Sequence, residues 1–216
     1  MSTTPLLKPL LRGHFHQAAF FSALGACGIL IANSVSLGAT GLFSIIVYSI
    51  ALNTLFAVSA LYHRPQWSEK ARAIMRKLDH VAIFLIIAGT SVPLCLLGIR
   101  GELGQKLLII VVTACSLGAL KEFLWIKSPK WITAILYVGV SWVIIPYSSE
   151  LLSSLGLLNF CYLIIGGLLY TIGAVFYALK RPNFFPKVFG YHELFHLMVI
   201  FGAISHFILV YRLVNK

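Results

Sequence analysis

Charge is scarce in this chain, and acidic charge scarcest. Of 216 residues only 6 are Asp or Glu, and charged residues of both signs make up 11 %. A soluble domain carries roughly a quarter charged residues, so the shortage excludes an ordinary water-soluble globular protein. Cysteine is nearly as sparse. The 4 present, Cys27, Cys95, Cys115 and Cys161, each fall inside an apolar run and show no C-x-x-C spacing. That argues against a disulfide framework and against a thiolate zinc site, and leaves buried, inert thiols. Internal repeats, low-complexity linkers and a soluble domain are also missing. What fills the chain is apolar: 59 % of residues are hydrophobic and the mean hydropathy is +0.92. This is the composition of a multi-pass membrane protein.

Seven runs reach spanning length, taking about 20 residues as the requirement. They cover roughly 15–37, 42–63, 79–99, 105–125, 131–147, 155–179 and 192–214. None shows the alternation of a barrel strand, so backbone satisfaction in lipid predicts helices throughout. The fold expected is a single all-α domain over 1–216, a seven-helix membrane bundle. Gly38-Ala39-Thr40-Gly41 leaves only a tight turn between the first two runs, while Arg64-Pro65, Ser128-Pro129 and Arg181-Pro182-Asn183 punctuate later ones. Lys8 and Arg12 before an apolar run imitate a signal peptide. The run is long enough to span and a second follows at once, so an uncleaved first helix is expected.

Lys and Arg fix the expected orientation. With a cytoplasmic N-terminus that side receives Lys8, Arg12, Arg64, Lys70, Arg72, Arg76, Lys77, Lys121, Lys127, Lys130, Lys180, Arg181 and Lys187. The far side receives Arg100, Lys106, Arg212 and Lys216. This bias predicts N-in and C-out in a cell membrane, and accounts for the net charge of +11 without nucleic acid. The basic 64–77 stretch is also suited to anionic lipid headgroups.

With that topology the polar residues converge. The second span ends inward at Ser59 and His63, the third begins inward at Asp79, and the last begins inward at His192 and His196. Histidines four apart share one helix face, about 6 Å from each other along the axis. His192-Glu193-Leu194-Phe195-His196 also fits H-E-x-x-H, in which the Glu serves as general base beside zinc. Three imidazoles and a carboxylate at one depth form a credible zinc shell with an open position, and Ser59 would support it by hydrogen bonding. His206 lies about 15 Å deeper than His196 and is assigned to helix packing. His80 is turned about 100° from Asp79 and is left out, and His14 and His16 read as interfacial. The bland readings are an interfacial anchor for any single histidine, a helix cap for Asp79, and water-seeking ends for Lys121 and Glu122. The four-residue set favours a site, because ionisable groups within a membrane are costly. Trp67, Trp125, Trp131 and Trp142 read as belt aromatics.

Ser59-x-x-x-His63, Asp79 and His192-x-x-x-His196 on seven spans resemble the hemolysin III family. That family belongs with the progestin and adipoQ receptors and, more widely, the alkaline ceramidase-like membrane hydrolases. The strings Ser59-Ala-Leu-Tyr-His63, Lys77-Leu-Asp-His-Val-Ala-Ile-Phe84, Ala88-Gly-Thr90 and Ser205-His206-Phe207 carry the likeness from the second span onward. The resemblance implies zinc held by His63, His192 and His196, with Asp79 directed toward the metal's water. It also implies a link to hydrolysis of lipid amides in the receptor branch, and to membrane homeostasis in the bacterial branch with its haemolysin name. One departure stands out. The family often carries an acid and an Asn early in the first span, where this chain has His14-Phe-His-Gln17 and no acid.

The expectation is therefore a zinc-dependent hydrolase acting on a membrane lipid amide, with Asp79 and Ser59 as catalytic residues and membrane lipids as partners. A zincin-type protease is weaker, because His206 is too far to be a third ligand. The alternatives are a structural zinc clip in a lipid sensor or membrane regulator, and a membrane-perturbing cytolysin. Seven constitutive spans argue against a secreted pore-former.

Overall fold

The computed structural model describes residues 9–99, 101–125, 129–185 and 187–216. Lys8, Arg100, Lys127 and Ser128, named above, lie outside them. The described residues form an all-helical membrane bundle of α1 (His14–Ser34), α2 (Gly38–His63), α3 (Glu69–Pro93), α4 (Glu102–Leu124), α5 (Lys130–Ser141), α6 (Ser148–Leu155), α7 (Leu157–Leu179) and α8 (Tyr191–Val214). Six segments among them are long and apolar enough to cross a membrane. The first, His14–His63, is a pair of helices broken at Val35–Leu37 and at Gly38, whose φ of 74° an L side chain rarely adopts. The two fold back on each other, so that His16 at the start of α1 meets Phe56 near the end of α2.

The outside of the bundle is apolar. Phe21, Ile29, Phe43, Ile50, Ile109, Leu117, Leu158, Leu168 and Ile204 are exposed, which suits lipid contact. Small and weakly polar residues such as Ser44, Ser49, Ala51, Ser59 and Thr90 are buried between helices, as expected where close backbone approach drives association. Helices adjacent in sequence are mostly adjacent in space, and α8 closes the ring by packing on both α7 and α1.

Two segments and one side chain differ from the sequence reading. α3 begins ten residues before Asp79, at Glu69, with Ser68 as its N-cap accepting from the Ala71 amide. The Glu69–Leu78 stretch is rich in Ala, Lys, Arg, Met and Leu, all strong helix formers, but too charged to register as a membrane run. Asp79 is therefore inside a helix and caps nothing. The fifth run ends early: α5 stops at Ser141, the chain turns through Ile145–Tyr147 around Pro146, and the short α6 follows with Leu151 and Leu155 buried. Trp142, expected in the interfacial belt, instead donates from Nε1 to the Thr171 hydroxyl at 2.8 Å.

The segment ahead of α1 is pinned to the opposite end of the chain. The Leu10 and Leu11 amides donate to the Lys187 and Val188 carbonyls, and Phe15 meets Phe189 edge-on. The Arg12 guanidinium pairs with the carboxylate of Glu193, which is fully buried.

Two outcomes are expected of this packing. Gly89 faces α2 so closely that an added Cβ would lie 2.4 Å from that of Ala51, whereas Gly25 has nothing within 4 Å. Gly89→Val should destabilise by about 1–3 kcal/mol and Gly25→Ala should not, as read by thermal unfolding in detergent. Arg12→Ala leaves Glu193 buried and unpaired, and should cost about 3 kcal/mol in the same assay; adding Glu193→Gln should recover part of that.

Candidate metal centre

α2 and α8 converge at the end of the bundle where α2 stops and α8 starts. His63 occupies the last position of α2, one turn beyond Ser59 on the same face. His192 and His196 lie in the first two turns of α8, on the face opposite α2. All three imidazoles are buried, and each offers a nitrogen within 4.8 Å of the others. Nε2 of His63 and Nε2 of His192 are 3.2 Å apart. Two nitrogens bound to one tetrahedral zinc at about 2.0–2.1 Å stand roughly 3.3–3.4 Å from each other, so the donor set fits such an ion.

Asp79 completes the arrangement from α3. Its Oδ2 lies 4.0 Å from Nε2 of His63, and the Ser59 hydroxyl hydrogen-bonds to its carboxylate. The five residues singled out in the sequence thus come together from α2, α3 and α8. The convergence follows from α2 and α3 being antiparallel, which returns the chain to the depth of His63 after one short connection.

Glu193 takes no part in this constellation. One rotation of about 100° from His192 turns it toward Arg12, and its Oε2 accepts from the Gly190 amide at 2.8 Å, capping the start of α8. The H-E-x-x-H string here supplies two ring nitrogens and a structural carboxylate. His206 meets the Leu163 carbonyl at 3.1 Å, and its ring fills the space over Gly166, so it joins α8 to α7.

Two further groups border the site that the sequence did not single out. His16 of α1 lies flat on His196, with ring centroids 4.0 Å apart and planes 8° from parallel. Nothing in its spacing marks it, since the contact spans almost the whole chain. The second group is a polar cluster. His80 Nδ1 is 2.9 Å from Glu122, which also accepts from Lys121 at 2.8 Å and from the Thr133 hydroxyl at 3.1 Å; the Tyr137 hydroxyl donates to the His80 carbonyl. Glu122 is buried by this network, in place of the exposed helix end expected. The cluster ties α5 to α3 and α4.

A cavity of about 50 Å³ opens on the histidines and is lined by His16, Ser59, Asp79, His80, Thr133, Tyr177, His192 and His196. A second cavity of about 100 Å³ shares Leu55, Ile83, Tyr137, Ala174, Phe195 and Val199 with it and continues between α3, α5 and α7. Its walls are largely apolar: Ile86, Ile87, Leu94, Val111, Val138 and Leu163 among them. The polar constellation thus lies next to a larger cavity with largely apolar walls.

Comparison with known proteins places the chain in a family. The family described as haemolysin-III related matches residues 5–207. Among curated proteins, the chain is 28 % identical to a hemolysin-3 homolog of Bacillus subtilis (strain 168), over 90 % of this chain and 89 % of that one. It is 30 % identical to hemolysin-3 of Bacillus cereus, over 90 % and 86 %. A more distant likeness, 31 % identity over 62 % of this chain and 34 % of the relative, joins it to an adiponectin receptor protein of Drosophila melanogaster. Matched by that family over residues 5–207 and folded as an all-helical membrane bundle, this chain belongs to the haemolysin-III related family.

Proposed function

We propose that the protein is a zinc-dependent membrane hydrolase that cleaves a lipid amide at the cytoplasmic face. The observation that carries the reading is the meeting of three buried imidazoles and a carboxylate next to a cavity with largely apolar walls. Three buried imidazoles whose nitrogens meet at one point are a donor set suited to one divalent cation. Zinc bound there would supply Lewis acidity and lower the pKa of a water.

The protein's own residues have distinct tasks. His63, His192 and His196 hold the ion. Asp79 takes the proton from the attacking water and returns it to the leaving amine. Ser59 holds the Asp79 carboxylate in place. The apolar chamber between α3, α5 and α7 receives an acyl chain and keeps it out of water while the scissile bond lies beside Asp79. The amide, as opposed to another acyl linkage, comes from the family resemblance. Seven crossings with a cytoplasmic N-terminus follow from counting α1 and α2 separately and from the Lys and Arg bias.

Elemental analysis of detergent-purified protein tests the centre first. Near-stoichiometric zinc is expected in the wild type and is expected to vanish in the His192→Ala, His196→Ala double variant. Asp79→Asn should keep the zinc and lose turnover of a lipid amide by about 100-fold or more. Loss of folding in Asp79→Asn, with no turnover by the wild type on any lipid amide, would instead favour a structural clip. A well-folded wild type without zinc would end both readings.

A further inference from the structure

His16 borders the site without a place in the metal reading, and its surroundings are unusual. Its side chain is 2 % exposed, and neither ring nitrogen has a hydrogen-bond partner among the described residues. The His196 backbone faces it without completing a hydrogen bond. Phe56 contacts it edge-on, and the ring of His196 covers one face. A phenyl or leucyl side chain would fill the same space with no polar atom left unpaired. Orphaned buried nitrogens in a native fold call for a partner outside the protein's own hydrogen bonds.

The position of His16 is built rather than incidental. Four residues earlier, Arg12 is anchored to Glu193. Gly13 packs so tightly on α2 that an added Cβ would come within 2.8 Å of the Cβ of His63. The first turn of α1 is therefore held against the ends of both α2 and α8, and the His16 ring borders the same cavity as Asp79, His192 and His196.

We propose that His16 is a substrate-binding residue that donates a hydrogen bond to the carbonyl oxygen of an acyl group entering this cavity. Stacking on His196 fixes the plane of the donor, and the lack of a protein partner leaves the donor to the ligand. The proposal rests on the metal-centre reading and adds to it the recognition of the acyl carbonyl.

The experiment uses full-length, zinc-loaded protein in detergent and a long-chain hydroxamate as probe, with binding followed by calorimetry. His16→Phe keeps a flat ring over His196 and removes both nitrogens. It should retain near-stoichiometric zinc while binding the hydroxamate about tenfold more weakly, the scale of one lost hydrogen bond. Equal binding by wild type and His16→Phe would overturn the proposal and reduce His16 to a packing ring. Should His16→Phe not fold, His16→Asn and His16→Leu decide the matter. Tighter hydroxamate binding by the Asn variant supports a donor role, and equal binding overturns it. A wild type that holds no zinc fails the metal reading itself, which zinc analysis detects before any hydroxamate is added.

Discussion

The arrangement of this protein depends on the cost of placing imidazoles and a carboxylate where water is excluded. A polar side chain in an apolar bundle must find partners or lose stability. Here the polar groups are gathered at one end of the molecule: His63 from α2, Asp79 from α3, His192 and His196 from α8. Much of the remaining interior is made of small and apolar residues. Three helices are brought to one depth by this grouping, and the ring of helices closes around it.

The same economy explains the second polar cluster. Glu122, Lys121, Thr133 and His80 satisfy one another within hydrogen-bonding distance, so a buried acid between α3, α4 and α5 is tolerated. Glu193 solves the same problem differently, by pairing with Arg12 and capping its own helix. Both acids are satisfied by partners away from the triad, while Asp79 lies beside His63.

Much of this was legible in the sequence because it follows from short-range geometry. The four-residue spacings Ser59–His63 and His192–His196 place each pair on one face, and hydropathy places them at span ends. What escaped had other causes. Hydropathy reports the membrane and not the helix, so the charged first turns of α3 went unread although Ser68 and the Ala-rich stretch announce them. The apolar run after Trp131 hid the break around Pro146, because an apolar turn looks like a span. His16 is the clearest case: two residues from His14 and at a span edge, it has no local partner, and its stacking contact is made by a residue 180 positions away. The H-E-x-x-H string pointed to Glu193 as a base, yet a helix step of about 100° is enough to send the side chain elsewhere.

The order in which the chain is made bears on the contact between Arg12 and Glu193, 181 positions apart. α1, α2 and α3 can enter the membrane early, carrying His63 and Asp79 with them. The other two imidazoles belong to α8, the final helix. Until α8 is inserted, the first turn of α1 has nothing to clasp and the histidine triad has only one member. The cluster is therefore incomplete until α8 is in place, and a product truncated before His192 would keep His63 and Asp79 without the two imidazoles that face them.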